Sequence, residues 1–284
     1  MSNDFEYLKK LNFLQPEDLD SSIQENLHLQ AIWADVFWRR RHNHTKREDP
    51  ELKFIFDRPV RQLLEIGAGY GRILRKIAHI NQKRPDKTKL VGIEICSHFN
   101  RYFDVYREQH PVLNDVEILF DDFLTTTKLK THSFDVILLP MNTFPNLPFK
   151  TLRALFSAVK RVLHSKGIWI FSTYKMPSES MLFEFIDKRS GFFRELLGDL
   201  GEEPIAAEYY TMKAEKMSYG ARTITYMCYN SFTRGYELKK REIFRTVQEY
   251  ILPGTLEELI LKNGFSIAFQ DESSHSAIYG LTPV

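Results

Sequence analysis

The segment from Glu65 to Arg72, with the sequence EIGAGYGR, has the residue types and spacing of a ligand-binding turn. Glycines allow the backbone to turn sharply and to approach a ligand closely, and a helix that follows offers free N–H groups and a partial positive charge. The spacing is G-x-G-x-G, and Arg72 stands where a dinucleotide-binding G-x-G-x-x-G turn has its third glycine. Glu65 precedes the first glycine by two residues, so it would repel a pyrophosphate and favour a cationic ligand.

Further along the chain, carboxylates follow two other apolar runs. Glu94 ends the run 90–94, where a carboxylate faces the ligand crevice and can accept hydrogen bonds from two ribose hydroxyls. Asp121 and Asp122 precede Phe123 after the run 116–120. An aspartate beside an aromatic ring can bind an adenine amino group while the ring packs on the base. The spacing alone does not separate Asp121 from Asp122.

The elements that must position these residues are short apolar strands that alternate with helices. Strands are predicted at 63–66, 90–94, 116–120, 134–139 and 168–172, and helices at 72–79, 99–108 and 151–163. Strands that alternate with helices indicate βαβ units and a parallel sheet with right-handed crossovers. This order places the glycine turn and Glu94 at the ends of neighbouring strands.

Together with the remaining segments, these elements divide the chain into three predicted regions. An amphipathic helix with a Ser22–Glu25 capping box leads into a basic run at 39–47, within an N-terminal helical segment, 1–58. The core comprises 59–175 and 251–284; its last part is a helix at 255–263 and strands at 265–270 and 276–281. A cap insertion, 176–250, is predicted to be helical from 176 to 200 and antiparallel β from 205 to 250.

Composition limits the class of protein. The chain has 284 residues, 43% hydrophobic and 27% charged, which is typical of a globular chain, and a net charge of +2 does not require a nucleic-acid partner. The sequence contains no run of eighteen apolar residues and no apolar signal core at its N-terminus, so we expect no membrane span and a cytoplasmic location. Cys96 and Cys228 have no metal-ligand spacing, so we expect no metal site and no disulfide framework.

The sequence resembles class I S-adenosylmethionine-dependent methyltransferases in four features that occur in the same order. They are the acidic-x-G-x-G-x-G turn, the acidic end of strand two, the Asp after strand three and the two closing strands. The resemblance covers about 63–174 and the last thirty residues. It implies an α/β fold: a Rossmann-like seven-stranded methyltransferase sheet, with an N-terminal helical lid and an antiparallel β cap inserted after strand five. A looser likeness, at 139–147 and 278–281, is to small-molecule N-methyltransferases of the sugar-amine and glycine types.

This resemblance implies S-adenosyl-L-methionine as cofactor, S-adenosyl-L-homocysteine as product, and a set of site residues. In the family the glycine turn lies against the methionine part, the residue matching Glu94 binds the ribose, and the one matching Asp122 binds the adenine. Asp121 replaces a glycine of that pattern. The predicted cofactor-binding residues are Glu65, Gly67, Ala68, Gly69, Gly71, Arg72, Glu94, Ile95, Asp122, Phe123 and Met141. The predicted substrate residues are Asn142, Phe144 and Tyr229.

No catalytic residue is assigned, because in-line transfer from a sulfonium needs alignment and exclusion of water rather than a nucleophilic side chain. His132 and the cap tyrosines lie near strand ends as candidate bases, without a fixed geometry. Replacing Glu94 with Ala is expected to weaken cofactor binding and to leave the fold intact.

We therefore expect an S-adenosylmethionine-dependent methyltransferase that transfers a methyl group to N or O of a small molecule. The alternatives are a catalytically silent cofactor-binding or regulatory partner protein, and an RNA methyltransferase that uses the basic run 39–47. Arg72 and the glycine spacing argue against a nucleotide-dependent oxidoreductase. The strand-four exit, Pro-Met-Asn-Thr-Phe, has neither the D/N-P-P-Y/F motif of nucleic-acid N-methyltransferases nor a Pro-Cys nucleophile. Exposed cap strands could pair two chains into a homodimer.

Overall fold

The computed structural model describes residues 49–56, 58–97, 99–140, 143–175, 191–196, 205–232, 238–273 and 276–284. The chain divides into two compact units, with boundaries between 176 and 177 and between 248 and 249. Most of the predicted N-terminal helical segment, including its capping box and its basic run, lies outside the described residues. No helix in the described part of the chain is long and apolar enough to cross a membrane.

Eleven strands and four α-helices make up the regular elements among the described residues. In chain order they are β1 (Gln62–Ile66), α1 (Arg72–Gln82), β2 (Lys89–Glu94), α2 (Phe99–Gln109), β3 (Val116–Phe120), β4 (Phe134–Leu139), α3 (Leu152–Val162), β5 (Leu163–Tyr174), β6 (Gly191–Leu196), β7 (Ile205–Met217), β8 (Gly220–Phe232), β9 (Leu238–Ile251), α4 (Pro253–Lys262), β10 (Phe265–Glu272) and β11 (Ser276–Pro283). Short 3₁₀ helices occur at Pro50–Phe54, Pro111–Leu113, Phe144–Asn146 and Phe149–Thr151.

A seven-stranded sheet with the order β10-β11-β5-β4-β1-β2-β3 is the centre of the larger unit. Neighbouring strands from β3 through β2, β1 and β4 to β5 are parallel, whereas β11 runs antiparallel to both β5 and β10. Strands β1 and β4 are buried at almost every position because helices cover both faces of a parallel sheet. The predicted Rossmann-like seven-stranded sheet is confirmed.

Apolar side chains pack between the sheet and the helices in two layers. On one side, helix α1 buries Ile73, Leu74, Ile77 and Ala78, which recur at the one-, three- and four-residue steps of a single helix face. The other layer is aromatic: the Trp169 ring of β5 lies 5.0 Å from Phe156 of α3 and 5.9 Å from Phe265 of β10. Both layers bury side chains that would otherwise expose large apolar areas to water.

Chain order reverses between β1 and β4, because β1 is followed by β2 on one side and β4 lies on the other. In open α/β sheets the loops at the carboxyl ends of such strands diverge and leave a crevice, which is where ligands bind. The predicted glycine turn follows β1, and the predicted substrate segment follows β4. The topology therefore brings the two predicted halves of the site to one edge of the sheet.

The smaller unit contains an antiparallel sheet with the order β6-β7-β8-β9. Its strands β7, β8 and β9 confirm the antiparallel structure predicted over 205–250. The helix predicted from 176 to 200 is wrong over 191–196, where β6 pairs Gly191 with Tyr210 and Leu196 with Ala206 of β7. Helix propensity is a weak preference that pairing with a distant strand overrides.

Candidate functional site

The turn after β1 has three glycines with left-handed backbone: φ is +71° at Gly67, +54° at Gly69 and +85° at Gly71. Residues with a side chain rarely adopt these angles, so the glycines are required by the shape of the turn. The Gly67 N–H donates to the Ile93 carbonyl oxygen at 2.9 Å, which ties the turn to β2. A Cβ atom on Gly67 would lie 3.1 Å from the Thr143 Cγ2 atom, so the turn approaches the loop after β4 closely.

Glu94, at the end of β2, is only 8% exposed and holds two backbone segments. Its Oε2 atom accepts a hydrogen bond from the Gly69 N–H, and its Oε1 atom accepts one from the Cys96 N–H, both at 2.9 Å. Burial raises the pKa of Glu94, and these two hydrogen bonds oppose that rise. Each carboxylate oxygen has a second lone pair, so Glu94 can accept ribose hydroxyls in addition to the backbone.

Glu65, in β1, carries a partly unsatisfied carboxylate beneath the same turn. The side chain is 2% exposed; the Leu74 N–H of α1 donates to it, and its Oε2 atom has no hydrogen-bond partner in the described structure. Burial raises its pKa well above the ordinary value; the nearby Asp49 and Glu94 carboxylates raise it further, whereas Arg72 lowers it. A ligand with an amino or sulfonium cation would complement such an oxygen, and S-adenosyl-L-methionine carries both.

Arg72 is paired within the protein. Its Nη1 atom lies 3.3 Å from the Asp49 Oδ1 atom, and Asp49 also forms an ion pair with Lys76, one turn further along α1. Asp49 is buried, so this pairing fixes the start of α1 to the chain segment before β1. The sequence analysis missed Asp49, since nothing in its local pattern shows that its partners lie 23 and 27 residues away.

The two aspartates after β3 have different partners. The Asp121 Oδ2 atom accepts a hydrogen bond from the Thr126 hydroxyl at 2.9 Å and lies 3.0 Å from the Lys128 Nζ atom. These contacts lower the pKa of Asp121. Asp122 instead accepts bonds from groups of its own turn, with Oδ1 2.9 Å from the Leu124 nitrogen. Because Asp121 is bound to a lysine of its own loop, Asp122 remains the predicted adenine partner.

Apolar residues complete this edge beside Glu94. The Ile95 side chain is 56% exposed directly after β2, although most large apolar residues in the described structure are buried. Ala68 and Phe123 are buried, so they shape the turn and the loop after β3 from below. An exposed isoleucine next to a carboxylate offers an apolar surface and an acceptor side by side, as a nucleoside requires.

The predicted substrate side is only partly described. Met141 and Asn142 lie outside the described residues, as does the side chain of Tyr229. Phe144 is 1% exposed and its ring stacks on Phe171 at a centroid distance of 4.6 Å, so its packing in the interior argues against direct contact with an acceptor. His132 precedes β4 and bonds through its Nδ1 atom to the Leu163 carbonyl oxygen. It therefore lies at the amino end of the strand, away from the predicted site.

Comparison with known proteins shows which proteins this chain resembles. Residues 63–167 match a family model described as a methyltransferase domain. An S-adenosylmethionine-dependent methyltransferase from Clostridium acetobutylicum ATCC 824 has a TM-score of 0.60 and 12% identity, with 91% of this chain and 99% of that chain covered. An amino pentose methyltransferase with bound S-adenosylmethionine from Micromonospora echinaspora has a TM-score of 0.56 and 15% identity, with 88% and 97% covered.

A third structure, the sugar N-methyltransferase from Streptoalloteichus sp ATCC 53650, has a TM-score of 0.60 and 14% identity, and covers 88% of this chain and 93% of its own. No curated protein matches this chain. At such identities the likeness establishes the fold alone. Residues 63–167 therefore match a methyltransferase domain, and the chain has the fold of the S-adenosylmethionine-dependent methyltransferase from Clostridium acetobutylicum.

Proposed function

We propose that this protein binds S-adenosyl-L-methionine at the carboxyl edge of β1 and β2 and transfers the methyl group to N or O of a small molecule. The observation that carries the proposal is the buried Glu65 carboxylate, with one unpartnered oxygen beneath a turn of left-handed glycines. This oxygen needs a positive partner, and the turn allows a ligand to approach without meeting a Cβ atom.

In this proposal each binding residue has a separate task. Glu65 attracts the positive charge of the methionine part, and its effect is large because the surroundings exclude water. Glu94 holds Gly69 in place and accepts the ribose hydroxyls, which fixes the position of the nucleoside. Asp122 and Ile95 bind the base by a hydrogen bond and by apolar contact.

The cofactor supplies a methyl group that is already activated by the sulfonium, so this chain has to align the acceptor and keep water away. The close approach of Thr143 to Gly67 supports this arrangement, because it brings the loop after β4 to the methionine end of the proposed site. An acceptor held by that loop would have its nucleophilic atom near the methyl group. The small-molecule assignment is supported by the amino pentose and sugar N-methyltransferases that have the same fold.

Calorimetric titration of the purified chain tests the proposal. We expect micromolar dissociation constants for S-adenosyl-L-methionine and S-adenosyl-L-homocysteine, and no binding of NADH as control. Transfer of radiolabelled methyl groups to small amines and alcohols then tests activity. Folded protein that binds neither sulfur compound would contradict the proposal, and binding without transfer to any small acceptor would favour a silent partner protein.

A further inference from the structure

Glu249 is a buried carboxylate that the cofactor site described above does not use. Its side chain lies near the end of β9 and is 7% exposed. The Oε2 atom accepts a hydrogen bond from the Phe149 N–H at 2.6 Å. The Oε1 atom has no hydrogen-bond partner within the described part of the chain, and no described Lys or Arg forms an ion pair with this carboxylate.

Two other buried carboxylates of the larger unit are better compensated, whereas Glu65 also keeps one oxygen without a partner. Asp49 forms ion pairs with Arg72 and Lys76, and Glu94 accepts two backbone N–H groups, one on each oxygen. Glu249 has a single neutral donor. The unpartnered Oε1 atom is not fully enclosed, so a ligand with a positive or donor group can reach it and replace water there.

The position of Glu249 follows from the elements that it contacts. Phe149 begins the short 3₁₀ helix Phe149–Thr151, which precedes α3 on the carboxyl side of β4. At the adjoining carboxyl end of β5, the Tyr174 ring lies 5.9 Å from the ring of Tyr250, the neighbour of Glu249. Glu249 is therefore at the same edge of the sheet as the glycine turn, on the side of β4 and β5.

The loop after β4 connects this carboxylate with the proposed cofactor site. It approaches Gly67 at Thr143 and, six residues later, receives Glu249 at Phe149. An acceptor in the crevice between these contacts would meet the glycine turn on one side and the carboxylate on the other. This edge is also where ligands bind in open α/β sheets.

We propose that Glu249 binds a protonated amino group of the methyl acceptor, so that the acceptors are amine-bearing small molecules. This assignment rests on the proposed methyltransferase function and narrows it. An ammonium group can donate to Oε1 and neutralise the carboxylate at once, whereas a hydroxyl can only donate. The carboxylate therefore selects for amines over alcohols of the same shape. The bound amino group releases one proton to solvent before transfer; its lone pair then forms the bond to the methyl carbon as the carbon–sulfur bond of the cofactor breaks and S-adenosyl-L-homocysteine leaves.

The simpler role for Glu249 is to cap the 3₁₀ helix Phe149–Thr151, which precedes α3, because a carboxylate there accepts the Phe149 N–H and complements the partial positive charge of a helix start. The Glu249→Gln variant separates the two roles: its carbonyl oxygen can still accept the Phe149 N–H, but its charge is gone. Glu258→Gln is a matched control, because Glu258 is an exposed glutamate of α4 that pairs with Lys262.

The experiment measures methyl transfer from radiolabelled S-adenosyl-L-methionine to paired amines and alcohols: benzylamine and benzyl alcohol, cyclohexylamine and cyclohexanol, and D-glucosamine and D-glucose. Binding of S-adenosyl-L-homocysteine is titrated in parallel. For the wild type we expect transfer to amines over alcohols. In Glu249→Gln we expect kcat/KM for amines to fall about 10- to 100-fold through KM, with cofactor affinity unchanged and Glu258→Gln equal to the wild type.

Several results would overturn the assignment. One is a wild-type protein that binds the homocysteine product but uses no amine of the panel, or prefers the alcohols. Another is a folded Glu249→Gln variant with an unchanged amine KM. If that variant does not fold, Glu249→Asp keeps the charge and must retain the amine preference. A wild-type protein that does not bind the cofactor would instead refute the methyltransferase proposal. Failure of the Glu249 assignment and failure of the methyltransferase proposal are therefore distinguishable.

Discussion

Replacement of Glu94 tests whether one carboxylate both builds the glycine turn and binds the nucleoside. Its two hydrogen bonds, from the N–H groups of Gly69 and Cys96, are each 2.9 Å long and belong to a side chain that is almost fully buried. Hydrogen bonds to a charged group contribute about 1.5–3 kcal/mol each, and a buried donor without a partner costs about 1–3 kcal/mol. Glu94→Ala leaves two such donors, so we expect it to lower the free energy of unfolding by about 3 kcal/mol.

This result would differ from the expectation drawn from the sequence, in which Glu94→Ala leaves the fold intact. The loss of binding free energy for the cofactor should be similar to the loss of unfolding free energy, because two ribose hydrogen bonds to a carboxylate are lost. We expect Glu94→Ala to bind S-adenosyl-L-homocysteine about 100-fold more weakly, which corresponds to about 2.7 kcal/mol. Glu94→Gln keeps one acceptor oxygen, and we expect roughly half of each effect.

Urea unfolding and calorimetric titration of the same preparations measure the two effects separately. Glu117→Gln is the control, because Glu117 is an exposed glutamate on the neighbouring strand β3 and pairs only with Lys89 at the surface among the described residues. We expect it to change neither quantity by more than about 0.5 kcal/mol. A Glu94→Ala protein with the wild-type unfolding midpoint and wild-type affinity would refute the reasoning.

Two further substitutions test the turn and the buried charge beneath it. Gly71→Ala places a side chain at φ +85°, with its Cβ atom 3.3 Å from the Phe103 ring, and should lower the free energy of unfolding, measured in urea, by about 2 kcal/mol. Gly254→Ala is the control and should not destabilise the protein, because a Cβ atom there has no neighbour within 4 Å. An equal loss of stability in both variants would contradict this prediction. Burial raises the pKa of Glu65, so the folded protein binds a proton that the unfolded chain releases, and stability falls as the pH rises from the unfolded pKa to the folded one. Glu65→Gln should reduce that slope in urea unfolding above about pH 4, the ordinary pKa of a glutamate, and an unchanged slope would show that Glu65 is not its source.

Local patterns in the sequence were sufficient for most of the larger unit. Strands β3 and β4 begin and end at the predicted residues, because each is a mainly apolar run bounded by polar turns. The three glycines of the turn were also predictable, since their spacing reflects a backbone that only glycine adopts easily. These features depend on residues that are close together in the chain.

Features that depend on distant residues were not predictable. Nothing near Asp49 indicates its ion pairs with α1, and nothing near Glu249 indicates that Phe149, 100 residues earlier, donates to it. In each case the side chain's role is decided by tertiary contacts that a local pattern does not contain.

The position of β11 has a consequence for synthesis of the chain on the ribosome. β11 fills the gap between β5 and β10, and its Ser276 pairs with Tyr174, which is translated about 100 residues earlier. At about 5–20 residues per second, the edge of β5 waits roughly 5–20 s for its neighbour. During that interval the apolar run of Ile168 to Phe171, fully buried in the folded protein, has an open edge that other chains could pair with. We therefore expect the nascent chain to need protection by chaperones until β11 has emerged.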